Sequence, residues 1–158
     1  VTYDFPRRGA RPALKWFWYD GNFEPVLPPE FEEGRKLPEN STLIVGTKAS
    51  VIAHSNYFTV RIVPESKMQE IGPSLPPKSL PRIPGGDHFG EWLNACKGGT
   101  PAGSGFDYSG PLTEMVLLGN VALRARRRIE WDSAALKITN LPAANAYLTK
   151  PYRAGHGV

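Results

Sequence analysis

The sequence predicts an α+β domain in which an open, mainly antiparallel β-sheet carries helices packed on one face. Stretches of alternating apolar residues fill much of the first 63 positions, and two segments with helical periodicity follow between residues 87 and 125. Strands grouped before helices are typical of a sheet covered on one side. The length of 158 residues suits one hydrophobic core, so we expect a single domain over residues 1–158.

The strands are predicted by alternation and by turn residues. The segment ALKWFWY, residues 13–19, places Trp16 and Trp18 on one face and Phe17 and Tyr19 on the other. The segment STLIVGTKASVIAHS, residues 41–55, has apolar runs on both sides of a polar turn and predicts a β-hairpin. A third strand is expected in YFTVRIVP, residues 57–64, where Phe58 begins the alternation. Six prolines between positions 64 and 84 favour an extended surface arm.

The segment GGDHFGEWLNACKGG, residues 85–99, predicts an amphipathic helix. Its apolar residues recur at positions i, i+3, i+4 and i+7, which places Phe89, Trp92, Leu93 and Cys96 on one face. Asp87 is suited to cap the start, and two glycines end the helix. We expect this face to be buried and Cys96 to be a small core residue.

A longer helix is predicted in DYSGPLTEMVLLGNVALRARRR, residues 107–128. Ser109 is its expected cap, Pro111 falls in its first turn, and a broad apolar stripe should bury most of its length. The basic run Arg124–Arg128 fits cations at a helix C-terminus better than a phosphate site, because its members spread around one turn. RIEWD and LKITN predict two short strands, and PAANAYLTKPYR predicts a short helix that ends before Pro151.

Composition and charge exclude several classes of protein. The net charge of +4 permits nucleic-acid binding without requiring it, and we expect neither a nucleic-acid partner nor a membrane partner. No apolar run approaches the length of a membrane span. The single cysteine cannot form an intrachain disulfide. His88 and Glu91 could offer two metal ligands, but a site needs three or four, so no metal is expected.

Six segments occur in an order that resembles a known family. They are YDFPRRG, KWFWYDG, PRIPGGDHFGEWLNACKGG, SGFDYSGPLTEMVLLGNVALR, IEWD and ITNLPAANAYLTKPYR. In this order they resemble the C-terminal domain of bacterial-type Gfo/Idh/MocA proteins, the glucose-fructose oxidoreductase and inositol dehydrogenase family. The resemblance implies a partner Rossmann domain, NAD(P)-dependent chemistry on a sugar or polyol, and a homo-oligomer that forms through the β-sheet.

The chain departs from the family pattern where the cofactor and the catalytic residues are concerned. It has no G-x-G-x-x-G loop after a strand, so no cofactor should bind to this chain, and NAD or NADP is expected only for the full-length protein. The family's Glu-Lys-Pro motif is absent, and the segment that carries the catalytic histidine in relatives lies upstream of YDFPRRG. We therefore assign no catalytic residue to this chain.

Four residues are candidates for contact with the substrate: His88, Trp92, Tyr152 and Arg153. At about 100° per residue, His88 lies roughly 40° outside the apolar arc of its helix, on the side of Trp92. It could border a cleft or simply bond to a neighbouring loop. Trp92 could stack on a sugar ring or lie in the core. Arg153, next to Tyr152, could bind a sugar hydroxyl or hold the C-terminus in place.

These observations predict the substrate-side and oligomerisation domain of an NAD(P)-dependent sugar or polyol oxidoreductase, which is not catalytically competent alone. The alternative is a stand-alone carbohydrate-binding or assembly module without enzymatic activity. A strand-GxGxxG-helix unit encoded upstream of Val1 would decide between them. The sequence leaves open the sugar, the choice between NAD and NADP, and a cytoplasmic or periplasmic location.

Overall fold

Across the described residues, 1–54 and 59–156, the computed structural model contains seven β-strands and three α-helices. The strands are β1 (Thr2–Phe5), β2 (Leu14–Phe17), β3 (Ser41–Val45), β4 (Ser50–His54), β5 (Thr59–Val63), β6 (Trp131–Asp132) and β7 (Lys137–Ile138). The helices are α1 (Glu65–Ile71), α2 (His88–Cys96) and α3 (Phe106–Ala125), and short 3₁₀ helices occupy Gly72–Ser74, Pro84–Gly86 and Pro142–Tyr147. The predicted α+β class is confirmed.

Every described strand pairing is antiparallel, but the strands form three small sheets. β1 pairs with β2, β3–β4–β5 form a three-stranded sheet, and β6 pairs with β7. The chain divides into two compact units. We call residues 1–22 with 83–158 the terminal unit, and residues 23–82 the inner unit. The expectation of one domain over residues 1–158 stays a prediction.

The inner unit is built on the predicted hairpin and third strand. Ile52 of β4 lies opposite Leu43 and Arg61, and the same face carries the fully buried Ser50 and Val63. The strand assignments at 41–54 and 59–63 are therefore confirmed, whereas Phe58 lies outside the described residues. The alternation of strand side chains places this buried set on one face.

The predicted extended arm over residues 64–84 is wrong at its start. Glu65–Ile71 is the helix α1, which packs against β5. Its prolines lie at the ends, because Pro64 precedes the first residue and Pro73 follows the last. Proline is tolerated before the first turn of a helix and after its last turn, and the seven residues of α1 keep all their backbone N–H donors.

Two glutamates tie the loop before β3 to the rest of the inner unit. The Ser50 hydroxyl donates to Glu30 Oε1 at 2.7 Å. Glu32 accepts the Glu65 backbone N–H at 2.5 Å and the Arg35 guanidinium at 2.7 Å. Glu32 therefore connects this loop to the first residue of α1.

In the terminal unit the aromatic hairpin lies with one face toward α3. Tyr3 of β1 pairs with Trp16 of β2, and their rings stack with centroids 5.1 Å apart. The Tyr3 hydroxyl donates to the Val116 carbonyl of α3 at 3.4 Å. A methyl group added at Gly119 would overlap that hydroxyl, so glycine leaves the space that the tyrosine uses.

The core of the terminal unit lies at the C-terminal half of α3. Val121, Ile138 and Ala144 are buried together, and partly buried neighbours surround them. Trp131 of β6 donates its indole N–H to Glu114 of α3 at 2.6 Å. Strands β6 and β7 and the last 3₁₀ helix confirm the short elements predicted between residues 128 and 153.

Two predictions about α3 are wrong. The helix begins at Phe106 and its N-cap is Gly105, whereas Ser109 lies inside the first turns. The Gly105 carbonyl accepts the backbone N–H groups of Tyr108 and Ser109, which starts the helix without a side-chain cap. The helix is also not buried along most of its length, because only Gly119 and Val121 are buried. Neighbouring elements cover only part of the apolar stripe.

The apolar face of α2 is exposed, against the sequence-based expectation. Phe89, Trp92 and Leu93 keep about half or more of their surface in solvent, and Cys96 is also exposed. Periodicity predicts which residues share a face of a helix, but a partner surface is required to bury that face. Among the described helices and strands, none packs extensively against α2.

Candidate functional site

Helix α2 positions two of the four candidate residues. Asp87 caps it, because its carboxylate accepts the Gly90 backbone N–H at 2.8 Å. The end is closed at Gly98, whose φ of 81° is the left-handed conformation that glycine adopts without strain. The cap and the terminating glycine agree with the prediction from sequence. They set the two ends of the helix that carries His88 and Trp92.

His88 and Trp92 lie on the surface of the terminal unit. His88 is the first residue of α2, and its ring lies 4.2 Å from that of Phe89. Trp92, one turn later, is 58 % exposed. Both side chains are accessible to a ligand, and a role in substrate binding stays a prediction.

Glu91 has a structural contact that sequence analysis did not predict. Its carboxylate accepts the Gly103 backbone N–H at 2.9 Å and so holds the loop between α2 and α3. Within residues 1–54 and 59–156, no cluster of three or more His, Cys, Asp or Glu side chains could hold a metal ion.

Tyr152 and Arg153 lie in the exposed segment after the last 3₁₀ helix. The Lys150 ammonium lies 5.2 Å from the centre of the Tyr152 ring, and the Arg153 carbonyl accepts the His156 backbone N–H at 3.1 Å. In the described part of the chain, no hydrogen bond or ring contact joins these two residues to His88 or Trp92. The four candidates thus lie on two different elements of the chain, and whether they line one site stays a prediction.

Helix α2 exposes one apolar face. We call it the α2 face; its members are all exposed and comprise Phe89, Trp92 and Leu93. At the beginning of α3, Phe106 is 90 % exposed. Exposed apolar side chains that share a face usually mark a place where another protein surface or a ligand binds.

The basic run is partly used for internal contacts. Arg124 stacks over the Tyr147 ring with its guanidinium 4.6 Å from the ring centre. Arg128 lies 3.6 Å from the Asp4 carboxylate. Arg126 has a φ of 50° and closes α3 in the left-handed conformation. Two of the four arginines, Arg124 and Arg128, therefore have partners within the terminal unit. These contacts favour the interpretation of the run as cations at a helix C-terminus.

Several structurally important residues were missed by sequence reasoning. Asn145 is the clearest case: its side-chain oxygen accepts the Ile138 backbone N–H at 2.8 Å, and its amide donates to the carbonyls of Ile138 and Pro142 at 3.0 Å. Asn140 similarly bonds the backbone at Glu130 and Arg128. Both amides lie in the segment ITNLPAANAY, where the surrounding turn residues were the available signal.

Three ionisable groups have shifted pKa values with a clear physical cause. Burial raises the pKa of the Tyr3 phenol, so it stays a hydrogen-bond donor at neutral pH. The hydrogen bond from Ser50 lowers the pKa of Glu30. The hydrogen bond from Arg35, followed by that from the Glu65 backbone, lowers the pKa of Glu32. None of these three groups is one of the candidate substrate contacts.

The inner unit contains a cavity of about 90 Å³ lined by Arg35, Pro38, Ile52, His54 and Arg61. The cavity includes none of the four candidate residues. It is therefore not the sugar site that the sequence predicts.

Comparison with protein-family models, with curated proteins and with solved structures returned no match for this chain. None of the described helices has the length and apolar character needed to cross a membrane.

Proposed function

We propose that this chain is the substrate-side and oligomerisation domain of an NAD(P)-dependent sugar or polyol oxidoreductase. The proposal begins from the resemblance of its six ordered segments to the C-terminal domain of Gfo/Idh/MocA proteins. Three of these segments contribute to one packed core: Val121 comes from SGFDYSGPLTEMVLLGNVALR, Trp131 from IEWD, and Ile138 with Ala144 from ITNLPAANAYLTKPYR. A shared core is what we expect of segments that belong to one domain, and it supports treating these three segments together.

The observation that carries the proposal is the exposed α2 face, formed by Phe89, Trp92 and Leu93. An amphipathic helix gains stability by burying its apolar face, and the face of α2 lies open in this chain. A nucleotide-binding domain of the kind that the resemblance implies would provide such a cover. The substrate would then lie at the edge of the covered surface, beside His88 and Trp92.

The two candidate side chains suit a sugar at that edge. An indole face packs against the apolar C–H face of a sugar ring, and an imidazole N–H donates to a hydroxyl. The chain has no glycine loop for the phosphates of a cofactor, so the proposal leaves both the cofactor and the proton-accepting base to the rest of the protein. This chain would supply one wall of the pocket.

Self-association through the hairpin sheet is part of the same proposal. Tyr3 and Trp16 lie on the side toward α3, whereas Phe17 and Tyr19 of the opposite face remain about half exposed. Exposed aromatic side chains on the open face of a sheet are a suitable contact between copies. A stand-alone carbohydrate-binding module is the second candidate, and the exposed Trp18 and Trp92 favour it.

The test is made on the longest gene product that contains the chain. Reduction of NAD⁺ and NADP⁺ is followed with a panel of sugars and polyols, for the wild type and for His88→Ala. We expect His88→Ala to raise the KM by about tenfold with little change in kcat, because about 1.4 kcal/mol of binding is lost. His156→Ala, which removes another exposed histidine, is the matched control and should change neither parameter.

Calorimetry on the isolated chain separates the two candidates. The proposal expects no saturable binding of NAD or NADP to residues 1–158 alone. Hydride transfer that is absent with every substrate, together with sugar binding by the isolated chain, would favour the carbohydrate-binding module. Micromolar cofactor binding by the isolated chain would contradict both.

A further inference from the structure

The tip of the first hairpin, residues 7–11, carries three arginines and no acidic residue. Arg8 and Arg11 face each other and exchange both backbone hydrogen bonds at 3.1 Å. Like charges directly opposite across a strand pair destabilise it. Among the described residues of the terminal unit, no carboxylate lies within ion-pair distance of these two residues or of Arg7, whose guanidinium donates to the Gly9 carbonyl. An external anionic group would relieve this repulsion.

The same positive surface continues to the end of α3. The Asp4 carboxylate lies 3.4 Å from the Lys15 ammonium and 3.6 Å from the Arg128 guanidinium. A single negative charge therefore lies next to two positive charges. We call the whole set the basic surface, and it comprises Arg7, Arg8, Arg11, Lys15, Arg126, Arg127 and Arg128. Residues 23–82 contain seven basic and seven acidic residues, so the net charge of +4 belongs entirely to the terminal unit.

A complementary segment is present in the inner unit. The loop over residues 24–39 contains five glutamates against one arginine and one lysine. Glu30 and Glu32 are used internally, whereas Glu24, Glu33 and Glu39 are exposed and form no ion pair among the described residues. We call these three the acidic loop.

Exposed apolar side chains accompany the charges on both surfaces. Phe23 and Val26, which flank Glu24, are 77 % and 95 % exposed, and Leu14 beside the basic hairpin tip is 60 % exposed. Exposed ion pairs alone contribute little, so a stable contact needs apolar area as well. Charge then sets the orientation and the rate of encounter, and apolar burial supplies most of the free energy.

We propose that the basic surface of one copy of this chain binds the acidic loop of a second copy. This contact is distinct from the aromatic sheet face of the hairpin and does not depend on any sugar chemistry. It assigns an anionic partner to three arginines that have none among the described residues of the terminal unit. It also covers the apolar side chains that flank Glu24.

The experiment reverses the two surfaces separately. One variant carries R7E, R8E and R11E, and the other carries E24K, E33K and E39K. Sedimentation velocity of the wild type should show association that weakens between about 50 and about 500 mM salt, because exposed charges are screened. Each variant alone should lose at least about tenfold in association constant. An equimolar mixture of the two should restore it, because each surface then meets its opposite charge.

The controls keep the result interpretable. The variant K78E, K97E, K137E reverses three exposed lysines elsewhere and should associate like the wild type. Circular-dichroism melts show whether each variant folds, and glutamine substitutions at the same positions replace any variant that does not. Failure of the mixture of folded variants to associate would overturn the proposal.

A second arm of the experiment concerns the other anionic partner that such a surface could bind. A DNA duplex of about 20 base pairs is titrated into the wild type and into the variant that carries R7E, R8E and R11E, which we call the hairpin variant, at about 150 mM salt. Duplex binding that is lost in the hairpin variant, with self-association unchanged, would assign the surface to nucleic acid and refute the contact between copies. In the double variant F17S and Y19S, which lacks the aromatic contact, association that is insensitive to salt would refute it as well.

Discussion

Asn145 shows how a single amide organises the end of the terminal unit. It satisfies the backbone N–H and C=O of Ile138, a residue that is only 2 % exposed. Buried backbone groups without partners cost about 1–3 kcal/mol each, so the amide stabilises the core from its edge. Tyr3 and Glu32 have comparable roles elsewhere, and each leads to a test.

The contact between Tyr3 and Gly119 predicts a coupled pair of substitutions. Gly119→Ala should destabilise the terminal unit by about 1–2 kcal/mol, because the added methyl group overlaps the tyrosine hydroxyl and forces the ring to move. In a Tyr3→Phe background the same change should be neutral or stabilising by up to about 1 kcal/mol, since alanine favours the helix. Urea unfolding of the four proteins measures the coupling. Additive effects of the two changes would contradict it.

Glu32 predicts a pH dependence of stability. Its pKa is lowered in the folded chain, chiefly by the hydrogen bond from Arg35, so its stabilisation is fully present above the unfolded pKa and is lost as the pH falls through the folded pKa. Glu32→Gln should therefore lower the unfolding midpoint at neutral pH, and the difference should shrink as the pH falls below the pKa of an unfolded glutamate and through the lowered folded pKa. Glu130→Gln, which removes an exposed glutamate that forms no ion pair among the described residues, is the control and should have no such pH-dependent effect.

At the scale of elements, α2 and α3 differ in what stabilises them. The C-terminal half of α3 packs on the core around Val121 and Ile138. Helix α2 has nine residues, and its apolar face is exposed. Isolated helices shorter than about 12–15 residues are marginal in water. The cap and the terminating glycine therefore account for more of the stability of α2 than of α3.

This difference predicts a local effect of the cap. Asp87→Ala should remove the bond to the Gly90 N–H and destabilise α2 by about 1 kcal/mol, without unfolding the terminal unit. Hydrogen exchange should speed up for the backbone amides of α2 and remain unchanged in β6 and β7. His88→Ala is the matched control, because His88 does not cap the helix. Equal loss of protection in the two variants would show that the cap has no such role.

At the scale of the whole molecule, surface composition decides how copies meet. Phe17 and Tyr19 expose aromatic rings on the open face of the first hairpin, with ring centres 6.3 Å apart. The substitutions F17S and Y19S together should weaken self-association in light scattering by about tenfold or more, with little dependence on salt. Phe106→Ser removes a ring on α3 that is even more exposed and should leave self-association unchanged. A wild-type chain that is monomeric at high concentration would contradict the proposal.

The sequence alone determined the class, most strands and the limits of α2. Alternation at residues 41–54, the capping Asp87 and the terminating Gly98 are local signals, because each depends on side chains and backbone angles within a few residues. The local rule failed at α1, because the proline-rich composition of residues 64–84 concealed a stretch without proline that is long enough for a seven-residue helix. It failed again at the start of α3, which begins at Gly105 without a side-chain cap.

Only the tertiary structure decided which apolar faces are buried. Periodicity placed Phe89, Trp92, Leu93 and Cys96 on one face correctly, yet that face is exposed, because burial depends on whether another element lies against it. Tertiary structure also brought Tyr3 to Gly119 across more than a hundred residues. Contacts between distant segments follow from packing in three dimensions, which no short window of sequence encodes.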